Sequence, residues 1–314
     1  MGKDAPLRHP ESGGHVIGRF VFFSLFLLFS LPLGAQPLVT AEWVAAQAKN
    51  DAVRIVDVGR TPGEFLTAHI PGSAFTDYKK DGWRVERNGV PDVMNAIPAL
   101  ESLLGRLGIA SDKHVVLVAP GLSAYDMASA TRLYWTLKVL GQEKVSVLDG
   151  GLASFVQQKL PVEAGPAKPR KTEIYAARPV SGMEAFLPDV AETSLPLVDA
   201  RPSDEYLGIN KSDKVLLPGT LPGAVNLPLV WMTVDGKGFF RQPTVLKSLF
   251  AYAKVQPDAP MIVFCNTGHT ASLLWFVAHE LLGNSQARLY DGSLAEWSLD
   301  PMRPMDRIFN IPSP

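Results

Sequence analysis

The sequence predicts an α/β fold of two units, each a mainly parallel sheet flanked by helices. Two observations carry that prediction. Short, continuously apolar runs alternate with helix-like stretches, the pattern of parallel strands buried on both faces. The pattern also occurs twice: VRIVDV (53–58) matches LPLVDA (195–200), and LDGGLASF (148–155) matches YDGSLAEW (290–297). Asp57 and Asp199 are 142 residues apart, as are Asp149 and Asp291, and IPGSA (70–74) and LPGAV (221–225) lie between them in the same order. Three ordered matches are the mark of a tandem repeat.

In the first copy, residues 54–58, 115–119 and 145–148 read as strands, and 98–108 and 127–140 have helical spacing, the latter ending at Gly141. In the second, residues 196–200, 261–264 and 287–290 are the strands, and ASLLWFVAHELLG (271–283) is a helix ending at Gly283. Between the copies, PVEAGPAKPRKTEIYAARP (161–179) is rich in Pro, Ala and basic residues and reads as a surface linker. The predicted domains are therefore 36–160 and 180–314.

The N-terminus differs from both copies. Lys3, Arg8 and Arg19 precede FVFFSLFLLFSLPL, an uncharged run of 14 residues from Phe20 to Leu33. At ~1.5 Å per residue it would reach about 21 Å, short of the ~30 Å hydrocarbon core. Residues 1–35 read as a signal peptide cleaved after Ala35, with an uncleaved anchor as the alternative. The mature chain is expected to be exported, to the periplasm.

With 30 Lys and Arg against 31 Asp and Glu among 314 residues, and a pI near 6.6, nothing points to nucleic acid. No zinc-type spacing or phosphate-binding glycine motif occurs, so neither metal nor cofactor is expected. A single cysteine excludes an internal disulfide.

That cysteine, Cys265, directly follows strand 261–264 and precedes a helix through the loop Asn266, Thr267, Gly268, His269, Thr270. Ligands of α/β sheets bind at the carboxyl ends of strands. Helix N-termini present unpaired N–H groups and a partial positive charge. Such a setting lowers thiol pKa values and favours a reactive thiolate. Gly268 lets the loop curl, the threonine hydroxyls can donate, and His269 can donate or carry charge near neutral pH. The competing reading is a buried, inert Cys with His269 solvated.

VDAR (198–201), PGS (71–73) and PGA (222–224), the strand–Cys–loop–helix unit, DGGLASF (149–155) and DGSLAEW (291–297) together resemble the rhodanese sulfurtransferase family over residues 38–300. The resemblance implies that only the C-terminal copy is catalytic, with Ala119 or Pro120 in the cysteine's place in a silent first copy. It implies that Cys265 takes sulfur from a small donor, of thiosulfate or 3-mercaptopyruvate type, as a persulfide. The N–H groups of residues 266–270 would hold the terminal sulfur. A thiol, cyanide or protein acceptor would then remove it.

Asp199 and Arg201 are expected as supporting residues, or as a structural ion pair, and Asp291 as a tie within its own D-G-S turn. Glu205 stands where the family places a substrate-binding Arg; at ~6 Å a carboxylate would cost an anionic donor roughly 2–3 kcal/mol. Lys211 and Lys214 are candidate substrate contacts that would compensate. A cysteine phosphatase would need an Arg closing the loop, and none lies between 265 and 287. The alternative from another class is an exported persulfide carrier or binding module serving a protein partner. Donor, acceptor and oligomeric state are open at this point.

Overall fold

The computed structural model of the chain describes residue 2 and residues 35–309. Apart from Gly2 and Ala35, the expected leader lies outside the described residues. Among the described residues no helix is long and apolar enough to cross a membrane.

The first copy contains β1 (Leu38–Val39), α1 (Ala41–Gln47), β2 (Val53–Val58), α2 (Pro62–Thr67), β3 (Ala74–Thr76), the antiparallel hairpin β4 (Arg84–Arg87) and β5 (Val90–Met94), α3 (Ile97–Arg106), β6 (His114–Val118), α4 (Ala124–Val139), β7 (Val145–Leu148) and α5 (Gly151–Gln157). The second contains β8 (Glu184–Ala185), α6 (Leu187–Ala191), β9 (Leu197–Asp199), α7 (Ser203–Leu207), β10 (Val225–Asn226), α8 (Pro243–Tyr252), β11 (Met261–Phe264), α9 (His269–Phe276), β12 (Ala287–Tyr290) and α10 (Ser293–Trp297). Two 3-10 turns, Leu229–Met232 and Val234–Gly236, stand where the first copy has its hairpin.

Each copy forms a five-stranded, all-parallel sheet. The strand orders are β1-β7-β6-β2-β3 and β8-β12-β11-β9-β10, one topology used twice. The central strands β2, β6 and β11 are almost wholly buried, which explains their mostly apolar sequences. Strand assignments from sequence match within a residue or two. Helix α9 starts at His269, two residues earlier than expected, because Gly268 in the left-handed region turns the chain directly into it. After Phe276 the helix loosens into a π turn over Val277–Leu281.

Residues 161–179 form neither helix nor strand and are stapled to the first copy. His69 and Glu163 exchange backbone hydrogen bonds, Glu173 N–H donates to Gly105, and Arg178 N–H donates to Leu140. The two copies pack through α4 and α9, both buried on nearly every side. One core cluster runs without a break from Val56 and Leu117 to Val263 and Leu289. The carboxyl ends of β6 and β11 therefore lie near the junction between the copies.

Candidate active site

Cys265 follows β11, with 1% of its surface exposed. Its carbonyl accepts from Leu294 N–H and that of Asn266 from Ala295 N–H. In the first copy the carbonyls of Ala119 and Pro120 accept from Leu152 and Ala153. The repeat offset of 142 makes these the same contacts, so Ala119 occupies the cysteine's position.

The loop is held from behind by Ser293. Its hydroxyl donates to the Tyr290 carbonyl and accepts the N–H groups of Cys265 and Gly268, each at 3.1 Å. Gly268 N–H, expected to face the sulfur, is thus engaged elsewhere. Among the described residues the N–H groups of Asn266 and Thr267 make no hydrogen bond. Gly268 has φ +71°, and a Cβ there would lie 2.6 Å from Arg132 Nη1 and 2.7 Å from the Asp291 carbonyl. Only glycine fits both demands. Thr270 lies in the first turn of α9, half-buried.

Much of the surround comes from the first copy. Arg132, fully buried on α4, donates to the Gly268 carbonyl and pairs with the Asp291 carboxylate. The other Asp291 oxygen accepts Met94 N–H at 2.7 Å. Asp291 therefore bridges the copies and does not tie its own turn. Trp297 is core, its indole donating to the Pro304 carbonyl. His269 Nδ1 lies 2.7 Å from the Tyr78 hydroxyl. Burial pushes the Tyr78 pKa up to about 12, so the phenol keeps its proton. Burial first, then the charges of Arg84 and Arg132, push the His269 pKa down to about 3. His269 is accordingly a neutral, anchored ring, which disfavours the charged one of the two roles its sequence position allowed.

Asp199 and Arg201 form a buried pair: Arg201 Nε and Nη2 both reach the carboxylate, Thr220 donates to it, and Arg201 Nη2 also reaches the Gly219 carbonyl. Arg201 Nη1 lies 3.6 Å from Glu205. Glu205 accepts from Asn266 Nδ2 at 2.7 Å. The carboxylate that sequence reasoning set against an anion is thus screened by Arg201 and used to orient Asn266. Arg201 Nη1 and Asn266 Oδ1 are buried without hydrogen-bond partners.

A cleft of about 430 Å³ opens over Thr267 and His269. Its cations, Arg60, Lys79, Lys80 and Arg84, all come from the first copy. Arg60 also holds Asp57, while Arg84 lies 4.4 Å over the Tyr78 ring and 3.6 Å from Asp92. Lys211 and Lys214 are not brought to this cleft: Lys211 donates to the Val215 carbonyl of its own loop, and Lys214 is exposed. Sequence reasoning missed Tyr78, Arg84, Arg132 and Ser293. Only Arg132 left a signal, as the one charge in the stretch 127–137 of its helix.

A model of the rhodanese-like domain matches residues 40–158 and 186–300. Human 3-mercaptopyruvate sulfurtransferase is 30% identical over 287 residues, covering 88% of this chain and 90% of that protein. Thiosulfate sulfurtransferase of Bos taurus is 30% identical over 281 residues, covering 83% and 92%. The crystal structure of SseA from Escherichia coli, described as a 3-mercaptopyruvate sulfotransferase, superposes with a TM-score of 0.71 at 26% identity, covering 82% of this chain and 99% of that one. Each matched segment contains four of the five strands of one parallel sheet, and on these grounds the chain belongs to the rhodanese family, with two rhodanese-like domains in tandem.

Proposed function

We propose that the protein is a sulfurtransferase that carries sulfane sulfur on Cys265 and takes it from a small anionic donor of thiosulfate or 3-mercaptopyruvate type. The observation that supports this most is the buried Cys265 at the start of a loop whose Thr267 and His269 line a cleft carrying four cations. The sulfurtransferase names of relatives at 30% identity support it independently.

In the proposed reaction the Cys265 thiolate attacks the donor's outer sulfur. A new S–S bond forms, and the donor's bond to that sulfur breaks, its electron pair leaving with sulfite or with the pyruvate carbanion, which is then protonated. A thiol or cyanide attacks the outer persulfide sulfur and returns Cys265 as thiolate. The N–H groups of Asn266 and Thr267, free of hydrogen bonds among the described residues, would stabilise charge on the transferred sulfur. Arg60, Lys79, Lys80 and Arg84 would draw the anionic donor to the mouth. The first domain, lacking a cysteine, would thus supply donor recognition. With 1% of Cys265 exposed, a small molecule reaches the sulfur more readily than a protein surface, which favours the enzyme over a carrier loaded by a protein. Export is part of the proposal, supported by the uncharged run from Phe20 to Leu33.

Intact mass of the mature protein after incubation with thiosulfate, and separately with 3-mercaptopyruvate, tests the reading. A gain of ~32 Da, one sulfur atom, removed by cyanide and absent in Cys265→Ser is expected. No gain with either donor, from folded protein with a titratable thiol, would overturn it.

A further inference from the structure

The first domain holds a second cationic cavity, at the opposite end of its sheet. It measures about 540 Å³ and shares no lining residue with the cysteine cleft. Arg54, the second residue of β2, and Lys113, just before β6, place it at the amino-terminal ends of the strands. Lys168, Arg170 and Lys171 of the interdomain segment form its other wall, and Asp51 and Glu173 are its only acids.

Arg54 is the unusual member. It is 5% exposed, and its Nε donates to the Leu107 carbonyl at 2.6 Å. Its Nη1 is buried with no hydrogen-bond partner, and among the described residues no carboxylate pairs with it. Burial and the neighbouring charge of Arg170 push its pKa down to about 10, so it stays charged at neutral pH. A buried cation without counter-charge is costly unless an anion joins it. Several neighbours are partly committed: Lys113 to the Asp51 carbonyl, Arg170 to the Gly72 carbonyl, Lys168 to Glu163. Arg54 Nη1 has no such engagement. Gly108 makes room for the guanidinium, since a Cβ there would stand 3.2 Å from Arg54 Nη2.

We propose that this cavity binds a small phosphorylated molecule, whose phosphoryl oxygens meet the fork of Arg54 and the rim charges of Arg170 and Lys171. Guanidinium forks match phosphate oxygens in pairs, and the volume exceeds that of one phosphate group and suits a diphosphate or nucleotide. The site is independent of the sulfur chemistry.

The test is calorimetric titration of the mature full-length chain with pyrophosphate and with ADP, against sulfate at matched ionic strength. Pyrophosphate or ADP should bind at least tenfold more tightly than sulfate. Arg54→Met should weaken binding at least tenfold, as should the rim variant Arg170→Gln/Lys171→Gln, which leaves the core untouched. Cys265→Ser and Lys80→Gln should bind as the parent does. Tighter binding of ADP than of pyrophosphate would assign a nucleotide; equal binding would assign the phosphoryl groups alone. Binding no tighter than sulfate, unchanged binding in the rim variant, or loss of binding in Lys80→Gln would each overturn the proposal.

Discussion

Ser293 and His269 show how single side chains set the state of the cysteine loop. Ser293 sits at φ +50°, where its counterpart Gly151 has φ +57°, and its hydroxyl satisfies two loop N–H groups. Removing it leaves those N–H groups unpaired, at about 1–3 kcal/mol. Ser293→Ala keeps the strained backbone, whereas Ser293→Gly relaxes it by about 1 kcal/mol. Both variants should lose sulfur transfer at least tenfold, while denaturant unfolding should find the glycine variant the more stable. Equal activity to the parent would show that the hydroxyl does not organise the loop.

His269 carries the pH dependence. The unfolded chain protonates this ring below about pH 6.5, but the folded chain only near pH 3. The unfolded state therefore binds more protons, and stability is lost as pH falls through this window. Asp57, Asp149 and Glu184, whose pKa values burial raises, act in the opposite sense. Comparing thermal midpoints of the parent and His269→Gln from pH 7 to pH 4 isolates the histidine. The parent should lose stability more steeply; parallel curves would contradict a ring held neutral in the fold.

The junction of β11, loop and α9 depends on one backbone conformation. Gly268 caps α9 in the left-handed region against Arg132 and Asp291. Gly268→Ala costs about 1–2 kcal/mol for the conformation alone, and its Cβ also displaces Arg132. We expect activity reduced at least tenfold and a lower denaturation midpoint, measured by turnover and denaturant titration together. The equivalent first-domain connection, residues 120–123, is one residue longer and enters α4 through a Ser123–Asp126 capping box. The same architecture there lacks both the cysteine and its tight glycine cap.

The two domains clasp each other symmetrically. Asp149 of the first accepts Phe240 N–H of the second at 3.0 Å, and Asp291 of the second accepts Met94 N–H of the first at 2.7 Å. These Asp residues are the repeat anchors, so their periodicity reflects the joint between domains. With one continuous core, calorimetry should show a single unfolding transition. Arg132→Met leaves the Asp291 charge unpaired at the joint, at about 3 kcal/mol. It should lower the midpoint without splitting the transition; two resolved transitions in the parent would show the domains to be uncoupled.

The strands, the repeat and the placing of Cys265 at a strand end were legible from residue order, because period and apolar run length are local properties that sheet and helix impose directly. The composition of the site around that cysteine was not. Tyr78 meets His269 across 191 residues of sequence, and Arg132 meets Gly268 across 136. Those meetings exist only once α4 packs on α9, since the packing of the two copies around one shared core, and no local propensity, brings them together. The same reason turned Glu205 from an obstacle to anions into the anchor of Asn266, and replaced Lys211 and Lys214 by cations of the other domain. Residue order placed the lone thiol at a strand end; the docking of the two copies set charges of the first domain beside its loop.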